Sequence, residues 1–261
     1  MRALGTAATG MLAQQLNVDV ISNNIANMTT TGFKRQRAEF QDLLYQDLRR
    51  AGASSSDAGT VVPSGIQIGV GVKTASVYRI TDQGGMEATE NTYDLAIQGD
   101  GYFRVLLPSG DEAYTRAGSF QVSATGEIVT QDGYTVLPSI TVPQDALSVT
   151  INPSGEVQVK LDGQVNLQTV GQIDLAIFFN EAGLQPMGDN LYKESTASGA
   201  PSVGVPGSTG FGTVRQGYLE SSNVNAVGEI TALISAQRAY EMNSKVITTA
   251  DEMMSVTNQL R

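Results

Sequence analysis

Apolar residues recur every seven positions at both ends of this chain. Near the start Leu4, Met11, Val18 and Ile25 keep that spacing, with Ala7, Gln14 and Ile21 at the intermediate positions. Near the end Leu233, Tyr240, Ile247 and Met254 repeat it, with Ala236, Asn243, Ala250 and Thr257 between them. Val246, Met253 and Leu260 widen that second stripe. A seven-residue repeat of this kind lays one seam of side chains along an α-helix. The spacing predicts helix over residues 3–28 and 224–261. Asn225 is placed to cap the second helix, and Glu229 sits in its first turn, where the helix dipole favours an anion. At 1.5 Å per residue the second helix reaches roughly 55 Å, more than a compact β domain needs.

The long zone between shows no helical period. Its clearest stretch is VTINPSGEVQVKL, where Val149 and Ile151 alternate, a Pro-Ser-Gly turn follows, and Val157, Val159 and Leu161 alternate again. That pattern predicts a hairpin. Asp-Gly pairs at 100–101, 132–133 and 162–163 punctuate further strands. Gly69-Val70-Gly71 lacks the third glycine and the following helix of a dinucleotide loop, and reads as a strand kink or a close backbone approach. Residues 195–213 read as loop. A second short helical stretch is expected after residue 33, with Phe40, Leu43, Leu44 and Leu48 on one face.

The fold class follows. The chain is α+β, its two terminal heptad helices packed as a coiled-coil-like hairpin and its centre an all-β domain, a small barrel or sandwich-like. Residues 1–45 form the N-terminal helical segment and 46–65, rich in Ser, Gly and Pro, a flexible loop. Residues 66–219 form the β-rich domain and 220–261 the C-terminal core helix.

The first helix ends in NNIANMTTTGFK. Asparagine amides compete for backbone hydrogen bonds and threonines restrict χ1, so helix support fails from Asn23 onward. Gly32 offers a positive-φ turn position. Side chains of this polar stretch are candidates to face another chain. The basic cluster Lys34, Arg35 and Arg37 is too short for a nucleic-acid patch and reads as a solvated face or as salt bridges to an acidic neighbour.

Composition closes off most chemistry. The 261 residues include no Cys, His or Trp. That removes disulfides, the usual zinc, haem and iron–sulfur ligand sets, and Ser-His-Asp or Cys-His nucleophiles. Asp111 and Glu112 are adjacent, so on a strand they face opposite sides. Asp94, Asp100 and Glu127 are scattered among turns and read as solvated. No Asp-x-Asp-x-Asp-Gly calcium loop occurs. No cofactor, metal or catalytic residue is expected, and the chain is not read as an enzyme. Net charge is -10, with seventeen acidic and seven basic groups over 51–219, which repels phosphate backbones. No stretch approaches the roughly 20 apolar residues of a membrane span. Gln14, Gln15, Asn17 and Asp19 interrupt any apolar leader, so a cleaved secretory signal is not expected.

Both terminal stripes carry more apolar surface than one partner helix covers. Two arrangements account for it: neighbouring copies cover the remainder, or both helices fold back on the β domain. Gln14 and Asn243, polar within their seams, either set register or face solvent.

The ends of the chain also carry a resemblance. NVDVISNNIANMTTTGFKRQRAEFQDLLY, residues 17–45, resembles the N-terminal signature of the bacterial flagellar axial proteins, the family of rod, hook and hook-associated subunits. QGYLESSNVNAVGEITALISAQRAYEMNSKVITTADEMM resembles its C-terminal signature. VVPSGIQIGVGV and GYFRVLLPSGDEAYTRAGSF are similar to the distal rod type within that family. The resemblance implies a structural, self-assembling subunit that forms a hollow helical tube in the basal body. That shaft crosses the periplasm through the P and L rings, transmits torque from motor to hook and passes exported subunits. It implies export through the flagellar type III apparatus without a cleaved Sec signal. The implied partners are further copies, the proximal rod proteins, the hook protein, the P-ring and L-ring proteins, and a rod cap during growth. Nucleic acid and membrane insertion are not among them. Segment 46–65 is implied to stiffen the rod by touching neighbours.

The candidate assembly residues are Leu4, Met11, Gln14, Val18, Ile21, Asn24, Ile25, Asn27, Gly32 and Phe33 at one end. At the other they are Leu233, Tyr240, Asn243, Ile247 and Met254. Two rival readings are a β-headed surface adhesin on a helical stalk and a murein hydrolase, the second opposed by the lack of a coherent acid pair.

Overall fold

The computed structural model describes residues 2–49, 64–164 and 166–259. Helix α1 is Arg2–Ala26 and helix α2 is Ala226–Gln259. Before residue 100 the strands are β1 Gln36–Asp42, β2 Tyr45–Arg49, β3 Ile66–Gly69, β4 Val72–Arg79, β5 Met86–Ala88 and β6 Leu95–Gln98. Then come β7 Tyr102–Leu106, β8 Glu112–Thr115, β9 Gln121–Val122, β10 Ile128–Val129, β11 Thr135–Leu137, β12 Ala146–Ile151 and β13 Glu156–Leu161. The last are β14 Gln168–Gln172, β15 Leu175–Ile177, β16 Gln185–Gly188, β17 Leu191–Lys193, β18 Ser202–Gly204, β19 Thr213–Gln216 and β20 Tyr218–Glu220. The described residues fall into two units. Unit 1 takes those within 1–25, 36–78 and 226–261, and unit 2 those within 26–35 and 79–225.

Unit 1 joins the terminal helices to two strand pairs, β1 with β4 and β2 with β3. The stretch expected to be a second helix is therefore strand. In β1, Gln36, Ala38 and Phe40 turn inward while Arg37 and Glu39 are exposed, a period of two. The partners that fix this period lie at 66–69 and 72–79, so tertiary pairing overrides the local spacing of Phe40, Leu43, Leu44 and Leu48. The expected boundaries move with it. Helix ends at Ala26 rather than near 45, and residues 66–78 belong with the helices. Of the expected loop 46–65, residues 46–49 are in β2, and 50–63 lie outside the described residues.

The Gly69-Val70-Gly71 reading as a close approach holds. Gly71 has φ +125°, and a Cβ there would overlap the Thr9 hydroxyl. The Val72 amide donates to that hydroxyl at 3.3 Å, and Leu43 N donates to Gly71 O at 2.8 Å. One turn of α1 is thus tied to the start of β4.

Unit 2 is the β body. Its main sheet runs β16-β17-β8-β7-β11-β10-β9, with β15 also pairing β7 and β18. Successive residues on a strand face opposite sides, and both sides here are covered. Phe103 and Leu175, paired across β7 and β15, enter one core with Leu95, Ile97, Val157, Val159 and Val214. Their neighbours Tyr102 and Ala176 enter the other, where Tyr102, Tyr114, Phe178 and Tyr192 meet ring edge to ring face. Strands β12, β13 and β14 form a second sheet whose Val157 and Val159 face that first core. The predicted hairpin is there, with Val149 opposite Val159 and Ile151 opposite Val157. No helix among the described residues is long and apolar enough to cross a membrane.

Candidate assembly interface

Within unit 1 the two helices run antiparallel. The Asn24 amide donates to Glu229 Oε2 at 3.2 Å. Fourteen residues back along α1 and fourteen forward along α2, a Cβ on Gly10 would stand 2.9 Å from Asn243 Nδ2. Another turn or two on, Ala3 and Ala250 line one groove. Two heptads of one helix thus match two of the other, and small residues (Gly10, Ala236, Ala250) sit where the backbones approach.

The predicted seam is only partly buried, and Ala13 and Val20, outside it, are buried more deeply than Met11 and Val18. Ile21 and Asn24 are buried, and Leu4, Met11, Gln14, Val18 and Ile25 are half-buried on α1. On α2 Leu233, Asn243, Ile247 and Met254 are half-buried, Ala236 and Ala250 buried, and Tyr240 is 44 % exposed. Asn24 spends its side chain inside its own chain. Its amide also donates to Gln36 O at 2.8 Å and its oxygen accepts from Gln36 N at 2.9 Å. The turn beyond it belongs to unit 2. Thr30 donates to Asn27 Oδ1 at 3.2 Å, Phe33 is half-buried, and Gly32 is buried at φ +68°.

What the heptad reading passed over is the opposite side of α2. Val227, Ile230, Ile234, Met242, Val246, Met253 and Val256 are all exposed, Val227 at 75 % and Met242 at 64 %. At 100° per residue Val227, Ile230, Ile234 and Val256 project away from Ala236 and Ala250, whereas Met242, Val246 and Met253 flank Ala250. Val246 and Met253, read as a widening of the seam, do border it, lining the groove that Ala3 and Ala250 share. Around β2 and β3 Leu44, Tyr45, Leu48, Ile66 and Ile68 are exposed as well. A two-stranded ladder is marginal by itself, and apolar residues on it signal a missing cover.

Unit 2 holds a buried ion cluster that sequence reasoning reached only in part. Lys34 Nζ lies 2.7 Å from Glu220 Oε1, and Arg116 Nε lies 2.6 Å from Glu220 Oε2. All three side chains are almost wholly buried. Lys34 also donates to Asp82 O at 2.8 Å, and Arg116 to Gly101 O and, at 2.6 Å, to Gly99 O. Gly84 N donates to Glu220 at 2.9 Å. Burial pushes the Glu220 carboxyl up, but Arg116, Lys34 and the Gly84 amide outweigh it and hold it below its ordinary value. Burial lowers the Lys34 ammonium, and Glu220 only partly opposes that because Arg116 shares the same carboxylate. Of the two uses expected for the basic cluster, Lys34 takes the salt bridge. The signal was its place after Gly32, which turns the chain inward.

Relatives match from end to end. A flagellar basal-body rod protein FlgG of Caulobacter vibrioides is 65 % identical over 261 residues, covering 100 % of both chains. Those of Agrobacterium fabrum and Borreliella burgdorferi are 53 % and 49 % identical, covering 99 % or more of each chain. The chain belongs to the FlgG family of flagellar basal-body rod proteins.

Three family descriptions fall on this FlgG-family sequence. The flagella basal body rod protein model matches residues 4–34, the flagellar hook protein FlgE/F/G D1 domain 96–159, and the flagellar basal body rod FlgEFG protein C-terminal model 215–260. Each supplies one member of the ion cluster: Lys34, Arg116 and Glu220. The three stretches by which a FlgG-family rod protein is recognised meet at one buried carboxylate.

Proposed function

We propose that this rod protein builds the distal part of the flagellar rod as a hollow helical tube of identical copies, with the terminal helices forming its inner wall. The observation that carries the reading is that α2 is apolar on two opposite sides while one side is occupied within its own chain. A helix with two apolar faces belongs between two partners. In a protein of this family the second partner is another copy, which covers the stripe from Val227 to Val256. The exposed ladder of β2 and β3 is a second contact, made to a neighbouring copy along the shaft.

The seam residues Leu4, Met11, Gln14, Val18, Ile21 and Ile25, with Leu233, Tyr240, Asn243, Ile247 and Met254, then hold the helix pair together as a coiled-coil-like hairpin. Asn24 anchors that pair rather than bridging copies. Asn27 and Phe33 remain assigned to subunit contacts. A shaft of this kind passes torque from motor to hook through the P and L rings and passes exported subunits. Its ends meet the proximal rod proteins and the hook protein, with a rod cap during growth, and its copies arrive through the type III export apparatus. The role is mechanical rather than catalytic.

Negative-stain electron microscopy of the purified full chain across a concentration series tests this. Tubes of uniform diameter at high concentration are expected. Stalked particles of fixed size at every concentration are the adhesin's result and would replace this reading.

A further inference from the structure

Lys34 and Arg116 precede Glu220 by 186 and 104 positions. In a chain made from its N-terminus, both cations exist before the carboxylate that bridges them. The other acidic groups nearby do not substitute. Asp82 meets Lys34 through its backbone carbonyl, and Glu181 attracts Lys34 only at longer range while accepting from the Tyr102 hydroxyl at 3.3 Å. These line a polar cavity of about 210 Å³ beside Lys34 and Arg116; Asp100 also lines it but makes no ion pair with either cation.

The residues around Glu220 are also the last to arrive and complete unit 2. Strand β19 pairs β6, and β20 pairs β5. Gly32 N donates to Glu220 O at 2.8 Å. Asn223 accepts from Arg35 N at 2.7 Å and donates to Ile80 O and Asp82 O, both at 2.9 Å. Closing the unit without residue 220 buries two like charges with no counter-ion, which a protein interior does not tolerate.

We propose that Glu220 is an arrival-gated lock: unit 2 stays open while the chain lacks this residue and closes around Lys34 and Arg116 once it is present. The two cations act as a wedge, and the late carboxylate removes it. The purpose, keeping a subunit unfolded until it is complete, rests on the exported-rod reading; the electrostatic mechanism does not.

The test uses the full-length chain and its Glu220→Gln variant, which keeps the shape and removes the charge. Proteolysis within 79–225 is expected to rise by about a hundredfold in Glu220→Gln. Removing one cation as well, in Lys34→Met with Glu220→Gln, is expected to recover about tenfold of that resistance. Glu220→Gln as resistant as the parent overturns the proposal. So does a double variant as labile as Glu220→Gln, because the cost then lies in lost hydrogen bonds and not in charge. Finally, a translation-arrest sequence is placed at successive points after residue 225 of the nascent chain. Release is expected once residue 220 has left the ribosomal tunnel, and release while it is still inside overturns the lock. These readouts concern single chains, so a failure to form tubes sinks the rod reading and leaves the lock standing.

Discussion

Asn24 and Glu229, 205 positions apart, share a buried hydrogen bond of 3.2 Å at the meeting point of α1 and α2. The same Asn24 side chain pairs with both backbone groups of Gln36, so it holds α1, β1 and α2 together. Asn24→Ala removes two hydrogen bonds to the Gln36 backbone and one to the Glu229 carboxylate. The expected loss is about 3 kcal/mol of unit 1 stability. Thermal unfolding followed by helical circular dichroism measures it, with faster amide exchange at Gln36 as the local sign.

Two cations share one carboxylate in the Lys34–Glu220–Arg116 cluster, so its members are not equivalent. Lys34→Met leaves a balanced Arg116–Glu220 pair and is expected to cost about 1 kcal/mol or less. Glu220→Leu leaves both cations buried and unpaired, and is expected to cost about 3–5 kcal/mol. Denaturant midpoints of the two variants give the comparison. Equal costs would show that Lys34 matters for packing rather than charge.

Stability should fall at both ends of the pH scale. Glu220 has a folded value below its ordinary one, so its contribution is present above the ordinary carboxylate range and is lost as pH falls through the lower, folded value. On the alkaline side burial raises Tyr102, Tyr192 and Tyr114, the last to about 12. Their contribution is present below the ordinary tyrosine value and is lost as pH rises through the folded values. Lys34, lowered by burial, works the other way, adding stability as pH climbs toward the ordinary lysine value. Three tyrosines against one lysine give net alkaline loss. The chain has no Trp, so tyrosine fluorescence and tyrosinate absorbance follow it directly, and Tyr114→Phe should flatten the alkaline limb.

Gly32 and Gly110 both have positive φ, +68° and +88°. A Cβ on Gly32 would stand 2.8 Å from the Ala117 backbone nitrogen, whereas one on Gly110 meets nothing within 4 Å. Gly110→Ala is expected to cost about 1 kcal/mol of backbone strain alone. Gly32→Ala adds displacement of the chain beside Arg116 and should cost about 1–3 kcal/mol more. Paired thermal melts separate strain from crowding.

Val227 and Ile234 lie on the uncovered side of α2. Glutamate at both positions should change the stability of the isolated chain by about 0.5 kcal/mol or less, as exposed sites do. It should abolish tube formation. Sedimentation of the parent and the variant at equal concentration checks this, and tubes formed by the variant would move the assembly surface elsewhere.

The helices were legible because a seven-residue repeat is a local signal, and Leu4 to Ile25 and Leu233 to Met254 carry it without help from distant residues. The hairpin at 149–161 was legible for the same reason. Residues 36–49 were not. Phe40, Leu43, Leu44 and Leu48 fit a helical face as well as a strand, and what decides between them lies at 66–79. Lys34 showed a charge but not its burial, since burial depends on Arg116 and Glu220.

Spacing within short stretches was enough to place the helices and the strongest hairpin and to show which family the ends belong to. Tertiary structure decided the rest. It put the uncovered apolar stripe on the far side of α2, spent Asn24 inside the chain, and brought Lys34, Arg116 and Glu220 onto one carboxylate. Each of these follows from which distant segments pack together, and packing is set by the whole chain rather than by any window of it.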